Sequence, residues 1–206
     1  MEFLDSEIDI VKSKVSTDPL VVGGSNFGTH FLTQQTSSKY IYKPSIGAAL
    51  FSFAFLTVGL GVLCFAVYSI FQPTSLTDGN DVMLIIFGLV FACAGGFLFY
   101  YFYMPRVFDK QLGIYYKAHK PKLHNTQRLN SKRQVLLKSI VAIQIIGEHV
   151  RSDRGSYKSF ELNLVLNDNS RRNVVDHGNL KSIIDDAHIL SDFLSVPIWH
   201  AGSDVY

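Results

Sequence analysis

Charged residues are missing from two long stretches of this sequence. Residues 46–71 and 82–104 contain no Asp, Glu, Lys or Arg. A helix needs about 20 apolar residues to cross the roughly 30 Å hydrocarbon core of a bilayer, and each stretch exceeds that length. The residues between them, Pro73 to Asp81, are mostly polar and turn-forming. The sequence therefore predicts a hairpin of two membrane-spanning helices over residues 46–104.

The missing charges also narrow the possible functions. Ion pathways, proton relays and intramembrane catalysis usually need an ionisable side chain within the membrane. The hydroxyls of Ser52 and Thr57 remain, and each can hydrogen-bond to the backbone of its own helix. A channel or transporter made by this chain alone is therefore not expected, although a homo-oligomer with a polar lumen stays open.

Metal-ligating residue types are scarce as well. The two cysteines, Cys64 and Cys93, lie inside the predicted spans, and neither has a His or carboxylate neighbour. His119 and His124 are five residues apart, with no Cys beside them. Zinc sites combine three or four such ligands. We expect no metal site and no cofactor, and we interpret both cysteines as small apolar packing residues.

The charges that flank the spans predict the orientation of the hairpin. The connecting loop has no Lys or Arg, whereas Lys39 and Lys43 precede the first span and five basic residues follow the second. Because Lys and Arg near a span tend to stay in the cytoplasm, both termini are expected there. The residues before the first span include no apolar stretch of signal-peptide length, so the mature chain is expected to begin at or near Met1.

The second span carries small residues at every fourth position. Gly88, Ala92 and Gly96 share one helical face, where another backbone can approach closely. Weaker candidates on the first span are the pairs Ala48/Ser52 and Thr57/Gly61. The stripe predicts packing of the two spans on each other, with self-association or contact with another membrane protein as the alternatives.

Residues 1–45 are interpreted as an N-terminal cytoplasmic segment. Apolar residues at steps of three and four within residues 1–20 predict a short amphipathic helix. The stretch Val21 to His30 contains a glycine pair that resembles a fragment of a phosphate-binding loop, but no GxxxxGK[ST] motif follows it. A turn leading into a short strand, Thr29 to Thr33, is the preferred interpretation.

Residues 105–206 predict a small α+β domain. Three features indicate antiparallel strands: a strand pair in residues 107–118, an Ile-rich strand in 134–150, and a hairpin of 160–166 with 171–175 around an Asn-Asp-Asn-Ser turn. From Gly178 the apolar spacing becomes helical and continues until Pro197. These elements predict antiparallel strands closed by one amphipathic C-terminal helix.

The order of these elements resembles that of bacterial two-span membrane proteins with a cytoplasmic PH-like domain. The stretch Phe160 to His177 is also similar to segments of uncharacterised bacterial membrane proteins. The resemblance covers residues 105–199. It implies a PH-like antiparallel β-barrel or sandwich, in detail a seven-stranded half-open barrel capped by a helix, which is used for binding and assembly. It implies no catalytic residue.

A dense group of basic residues follows the second span. Residues 106–138 contain nine Lys or Arg and one acid, Asp109. A basic cluster close to an anionic leaflet gains about 1 kcal/mol for each charge near the surface. This cluster binds lipid or a protein partner, or else it only fixes the topology of the hairpin, and the two alternatives are equally weighted. Nucleic acid is not an expected partner. The candidate binding residues are Lys117, Lys120, Lys122, Arg128, Lys132 and Arg133.

Two further candidates have plain structural explanations. Asp176 and His177 suggest an acid–base pair, but adjacent strand residues point to opposite sides and no nucleophile motif accompanies them. Capping of the next helix is the preferred interpretation of this pair. Trp199, the single tryptophan, is expected to plug the open end of the barrel core, or else to anchor a partner.

Together these features predict a non-enzymatic protein of the bacterial inner membrane. It would present its cytoplasmic domain to a protein partner or to anionic lipid, while the hairpin contacts the bilayer and supports packing or self-association. An immunity or exclusion protein, which neutralises an incoming toxin or conjugation component, is the first alternative. An enzyme that uses Asp176 and His177 is the second.

Overall fold

A computed structural model of the chain describes residues 5–72, 79–121, 133–152 and 155–201. The chain forms two compact units. One combines Met1–Lys43 with Pro105–Tyr206, and the other is Pro44–Met104. The residues up to Lys43 therefore belong to the same unit as the C-terminal part, in contrast to the predicted separate segment of residues 1–45.

The larger unit contains two sheets and two helices. The first sheet has the strand order β1-β2-β3-β4-β5, with bounds His30–Thr36, Lys39–Pro44, Arg106–Asp109, Ile114–Lys117 and Gln134–Leu136. The second has the order β8-β7-β6-β9, with β6 at Ile140–Ser152, β7 at Gly155–Leu166, β8 at Arg171–His177 and β9 at Ile198–Ala201. Helix α1 covers Asp5–Lys14, and α4 covers Leu180–Leu194.

Most of the predicted elements are confirmed. The strand pair after the second span is β3 and β4, and the hairpin around the Asn-Asp-Asn-Ser turn is β7 and β8. The Ile-rich stretch 134–150 is divided, with its first three residues in β5 and most of the rest in β6. The expected strand near Thr29 is β1, and the C-terminal helix is α4. Strand β9 was not predicted, since its parallel pairing with β6 depends on residues far away in the sequence.

Of the two predicted alternatives, a barrel or a sandwich, the barrel is not observed, because the two sheets do not join into one. A short 3-10 helix at Leu137–Ser139 separates β5 from β6, and β6 then pairs with β7 and β9 instead of with β5. On the other side, a single bridge between Gly28 and His177 links the residues before β1 to β8. The observed fold is α+β with two sheets that are antiparallel except for the β6–β9 pair, and it does not confirm a PH-like fold.

The main core lies between the sheets and α4. Helix α4 contributes Ile183, Ala187 and Leu190, which are fully buried against apolar residues of both sheets. Asn179 begins this helix, since its side chain accepts a hydrogen bond from the backbone N–H of Ser182. Ser195 ends it in the left-handed conformation, two residues before Pro197.

A second apolar cluster lies on the opposite face of the β8-β7-β6-β9 sheet. Trp199 is 6% exposed there and packs with Val141, Ala142, Val165 and Val15. Val15 follows α1, so the N-terminal region covers this face of the sheet. Both faces of β7 are therefore buried, one under α4 and the other under the N-terminal region.

The apolar hairpin is an insertion between two paired strands. Strand β2 is antiparallel to β3, with Lys39 opposite Asp109 and Tyr42 opposite Arg106. The Lys39 ammonium and the Asp109 carboxylate are 3.2 Å apart. The whole Pro44–Met104 unit lies in the chain between these two strands.

The hairpin consists of α2 (Ile46–Ile70) and α3 (Gly79–Phe102). Both are long and apolar enough to span a membrane, with mean hydropathies of 2.4 and 2.6. Within the most apolar 18-residue stretch of each helix, only 17% of α2 and 11% of α3 is buried by the rest of the chain. Exposed side chains such as Phe53 (57%) and Phe97 (66%) are typical of helices in contact with lipid, not of core helices in a water-soluble domain.

Small residues bring α2 and α3 into close contact. A Cβ on Gly59 would clash with the backbone nitrogen of Ala92, and one on Gly88 would lie 2.8 Å from Leu63 Cγ. Ser52 is fully buried, and its hydroxyl donates to the carbonyl of Ala48. The contacts of Gly88 and Ala92 agree with their predicted role in this packing, and Ala48 and Ser52 are both fully buried on α2.

The last member of the predicted stripe is wrong. A Cβ on Gly96 would meet nothing within 4 Å, whereas one on Gly95 would clash with the backbone nitrogen of Leu56. The contact steps by three residues from Ala92 to Gly95, as it must when a face with 3.6 residues per turn is followed. Thr57 and Gly61 are likewise exposed and lie outside the contact.

Adjacent glycines provide a matched test of this contact. Gly95→Ala should destabilise the hairpin by about 1–3 kcal/mol, because the added methyl group meets backbone atoms that cannot yield without separating the helices. Gly96→Ala should be neutral or slightly stabilising, because the site is open and Ala favours a helix over Gly. Loss of helicity during SDS titration, followed by circular dichroism, measures both effects. Equal midpoints for the two variants would contradict the observed contact.

Candidate functional site

The basic residues that follow the second span do not form one exposed surface. Arg106 is only 3% exposed, and Lys117 is half-buried. The other described members, Lys110, Lys120, Arg133 and Lys138, are exposed. Lys122, Arg128 and Lys132 lie outside the described residues. The interpretation of Lys117 as an exposed binding residue is therefore wrong, because its strand directs it towards the interior.

Arg106 and Lys117 belong to a charged cluster inside the domain. They face each other across β3 and β4, and their charges interact with that of Asp176 on β8. Burial, followed by the Arg106 charge, lowers the pKa of Lys117 to about 8. Burial raises the pKa of Asp176 to about 6, although its hydrogen bond from Asn173 and the two cations oppose this shift.

A second carboxyl group with a raised pKa lies on α4. Burial raises the pKa of Asp186 to about 6, and the nearby Tyr42 hydroxyl partly opposes the shift. Its sequence neighbour Asp185 is exposed and adds a repulsive negative charge. At neutral pH the domain therefore holds an ionised Asp186 at a position that favours the neutral acid.

Glu161 on β7 holds the N-terminal region against the sheet. Its side chain is 1% exposed and accepts backbone N–H hydrogen bonds from Leu20 (2.9 Å) and Val21 (2.6 Å). The side-chain amide of Asn163 donates to the same carboxylate at 2.8 Å. We call residues 16–28 the strap, because they cross this face of the sheet between α1 and β1.

Further hydrogen bonds fasten both ends of the strap. Gln144 donates to the carbonyl of Ser16 at 3.1 Å, and Arg171 donates to the carbonyl of Asp18 at 2.8 Å. Towards the other end, the Tyr157 hydroxyl donates to the carbonyl of Gly24 at 3.0 Å. The strap is therefore bound by side chains from β6, β7 and β8.

The glycine pair of the strap binds a carboxylate from the same chain. The backbone N–H groups of Gly23 and Gly24 point at Glu148, with N–O distances of 3.2–3.4 Å. Gly23 has a φ of 76°, and a Cβ on Gly24 would clash with Ser159 Oγ. These glycines thus form the predicted turn. Their resemblance to a phosphate loop reflects backbone N–H groups that donate to a carboxylate of the same chain.

Asp176 and His177 do not form an acid–base pair. The Asp176 carboxylate accepts from Asn173, and His177 Nδ1 accepts the backbone N–H of Asn179 at 3.0 Å. Burial lowers the pKa of His177. His177 therefore supports Asn179, the residue that caps α4, which agrees with the preferred interpretation.

Trp199 is not displayed as an anchor for a partner. It lies in the apolar cluster under the N-terminal region and not at the end of a barrel. Within the described residues, no group of three or more His, Cys, Asp or Glu side chains is placed to hold a metal ion.

An open apolar groove of about 760 Å³ is present elsewhere on the same domain. It lies where the β3–β4 turn, the 3-10 helix and the segment after α4 meet. Its lining includes Leu112, Leu137, Ile140, Leu194, Val196 and Pro197, together with Lys110 and Lys138. The Lys110 ammonium lies 4.5 Å from the centre of the Phe193 ring. This feature, which we call the lysine groove, is the best candidate for a ligand site.

Sequence reasoning missed both the lysine groove and the role of Glu161. The groove joins residues from four separate segments, which include Ile8 of α1 as well as the three named above, and no local sequence pattern predicts such a site. A signal for Glu161 did exist, because the polar–apolar alternation of β7 ends at Val165. Val165 lies on the Glu161 face and is fully buried, which shows that this face is covered.

Replacing Glu161 tests the attachment of the strap. Glu161→Gln should destabilise the domain by about 1–3 kcal/mol, because an amide group would face two backbone N–H donors that need acceptors. Glu148→Gln is the matched control and should cost less, since its bonds are longer and its side chain is partly exposed. Denaturant unfolding followed by Trp199 emission measures both. Equal losses would contradict the dominant role of Glu161.

The raised pKa of Asp186 predicts a pH-dependent stability. A carboxyl group whose folded-state pKa is about 6 stabilises the fold at low pH, and this contribution is lost as the pH rises through 6. Asp186→Asn should therefore stabilise the domain at pH 7.5, by on the order of 1–2 kcal/mol, and much less at pH 5. Asp185→Asn should show no such pH-dependent gain. Thermal unfolding at the two pH values provides the measurement, and a gain that is equal at both would contradict the assignment.

Comparisons of this chain with models of protein families, with curated proteins and with solved structures found no match in any of the three.

Proposed function

We propose that this protein is a two-span inner-membrane protein that holds a non-enzymatic binding domain at the cytoplasmic surface, where it engages lipid or a protein partner. The insertion of the apolar hairpin between β2 and β3 is the observation that carries the proposal. Strands that pair along one edge must lie on the same side of a membrane. Two spans return the chain to that side, whereas one span would separate the paired strands.

The flanking charges indicate which side this is. Lys39 and Lys43 precede α2, and Arg106 and Lys110 follow α3, while the connecting residues carry no Lys or Arg. Basic residues close to a span favour the cytoplasm. Arg106 and Lys39 also belong to the folded domain, where Arg106 is buried and Lys39 pairs with Asp109. The side of the membrane that holds these basic residues is therefore the side on which the sheet forms.

The binding role is supported by the surface features of the domain. The lysine groove is apolar, concave and open, and small-molecule sites commonly have volumes of 300–1,000 Å³. By contrast, the side chains that suggest acid–base chemistry are already engaged in structural contacts, since Asp176 bonds to Asn173 and His177 bonds to Asn179.

Topology reporters test the membrane part of this proposal. Alkaline phosphatase fused after Tyr206, or ahead of Met1, should be inactive, and green fluorescent protein at the same positions should be fluorescent. Phosphatase fused after Gln72, which truncates the chain between the spans, is the positive control and should be active. An active phosphatase after Tyr206, or release of the intact chain from membranes by alkaline carbonate, would overturn the proposal.

A further inference from the structure

We propose that the lysine groove binds a single-chain anionic lipid, namely a long-chain fatty acid whose carboxylate lies between Lys110 and Lys138. This inference deepens the proposed function and rests on its membrane anchor, because the bilayer is the source of the ligand. The groove is lined entirely by residues of the larger unit.

The chemistry of the lining selects an anionic amphiphile. Its walls are aliphatic, and its two charged members are both lysines, with no Asp or Glu among the lining residues that the structure describes. Lys110 lines the groove, and two contacts restrict its position: its ammonium lies over the Phe193 ring, and its backbone N–H donates to the carbonyl of Ser38 at 2.9 Å. An apolar chain with one negative end matches this arrangement, since the chain removes apolar surface from water while the ammonium groups meet the charge.

The backbone of the walls argues against an extended peptide as the occupant. Around Val196, the N–H donates to the carbonyl of Ser191 and the carbonyl accepts the Ser191 hydroxyl. The Pro197 carbonyl accepts the N–H of Ile143, and the N–H of Leu137 donates to the carbonyl of Gly113. A peptide that binds by strand addition needs free backbone partners, and these groups are already used. An acyl chain needs none.

Photolabelling of the full chain in phosphatidylcholine nanodiscs tests the assignment. The probe is a sixteen-carbon fatty acid with a diazirine on its chain, and the labelled peptides are identified by mass spectrometry after digestion. Label is expected on segments 134–141 and 194–197, and an excess of palmitate should remove it. Labelling confined to residues 46–102 would overturn the proposal, as would equal groove labelling by the corresponding neutral alcohol.

Variants separate the head-group contact from the apolar contact. The double change Lys110→Gln and Lys138→Gln should lower groove labelling at least five-fold, whereas Lys158→Gln with Lys181→Gln, also exposed lysines, should leave it unchanged. Leu112→Trp should block the groove, and its exposed position in the β3–β4 turn should leave the fold intact. Trp199 emission verifies folding of the lysine variants, and circular dichroism verifies that of Leu112→Trp. Wild-type labelling in the double lysine variant or in Leu112→Trp would overturn the assignment.

The outcomes also separate this inference from the proposed function. If the chain resists carbonate extraction and the groove stays unlabelled, the ligand assignment alone fails. If carbonate extracts the chain, the membrane anchor itself fails, whatever the probe labels.

Discussion

The pairing of β2 with β3 is the contact on which the rest of this structure depends. In this pair of strands Tyr42 lies opposite Arg106, although the whole apolar hairpin separates the two residues in the sequence. The chain therefore closes one very large loop, and the entropy of closing a loop grows only slowly with its length. Here the loop is itself folded, because α2 and α3 pack along Gly59, Gly88 and Gly95 and so bring residues 44 and 104 back towards each other. Close helix packing and completion of the first sheet thus support each other.

Charged groups inside the domain are a second constraint on how its two sheets are arranged. Arg106 and Glu161 are almost fully buried, and Lys117 and Asp176 are half-buried. Buried ion pairs often contribute little net stability, because desolvation offsets their attraction, but an unmatched partner is costly. Such groups favour the one arrangement in which each finds its complement. In this chain Arg106 on β3 and Lys117 on β4 interact with Asp176 on β8 of the other sheet, and so they help to fix how the two sheets face each other.

The elements that can be predicted from the sequence are those determined by residues close together in the chain. The span boundaries follow from uninterrupted hydrophobicity, the β7–β8 hairpin from alternation around an Asn-Asp-Asn-Ser turn, and α4 from helical spacing. What it did not reveal depends on partners distant in the chain. Strand β9 exists because Trp199 pairs with Gln144, and Gly95 contacts α2 because of how the helices cross. The sequence predicts Lys117 to be exposed, and this is wrong because composition does not show which face of a short strand points inward.

The strap also constrains how the protein is made. Leu20 and its acceptor Glu161 are 141 residues apart, and every residue of the hairpin is synthesised between them. At about 5–20 residues per second, the ribosome needs several seconds or more to supply β7 after the strap has emerged. During that interval the apolar hairpin is synthesised, while β2 lacks its later partner β3 and the strap lacks its acceptor on β7. Translation order thus places synthesis of the whole apolar hairpin before completion of the larger unit, and β2 and the strap stay without their later partners until that unit is finished.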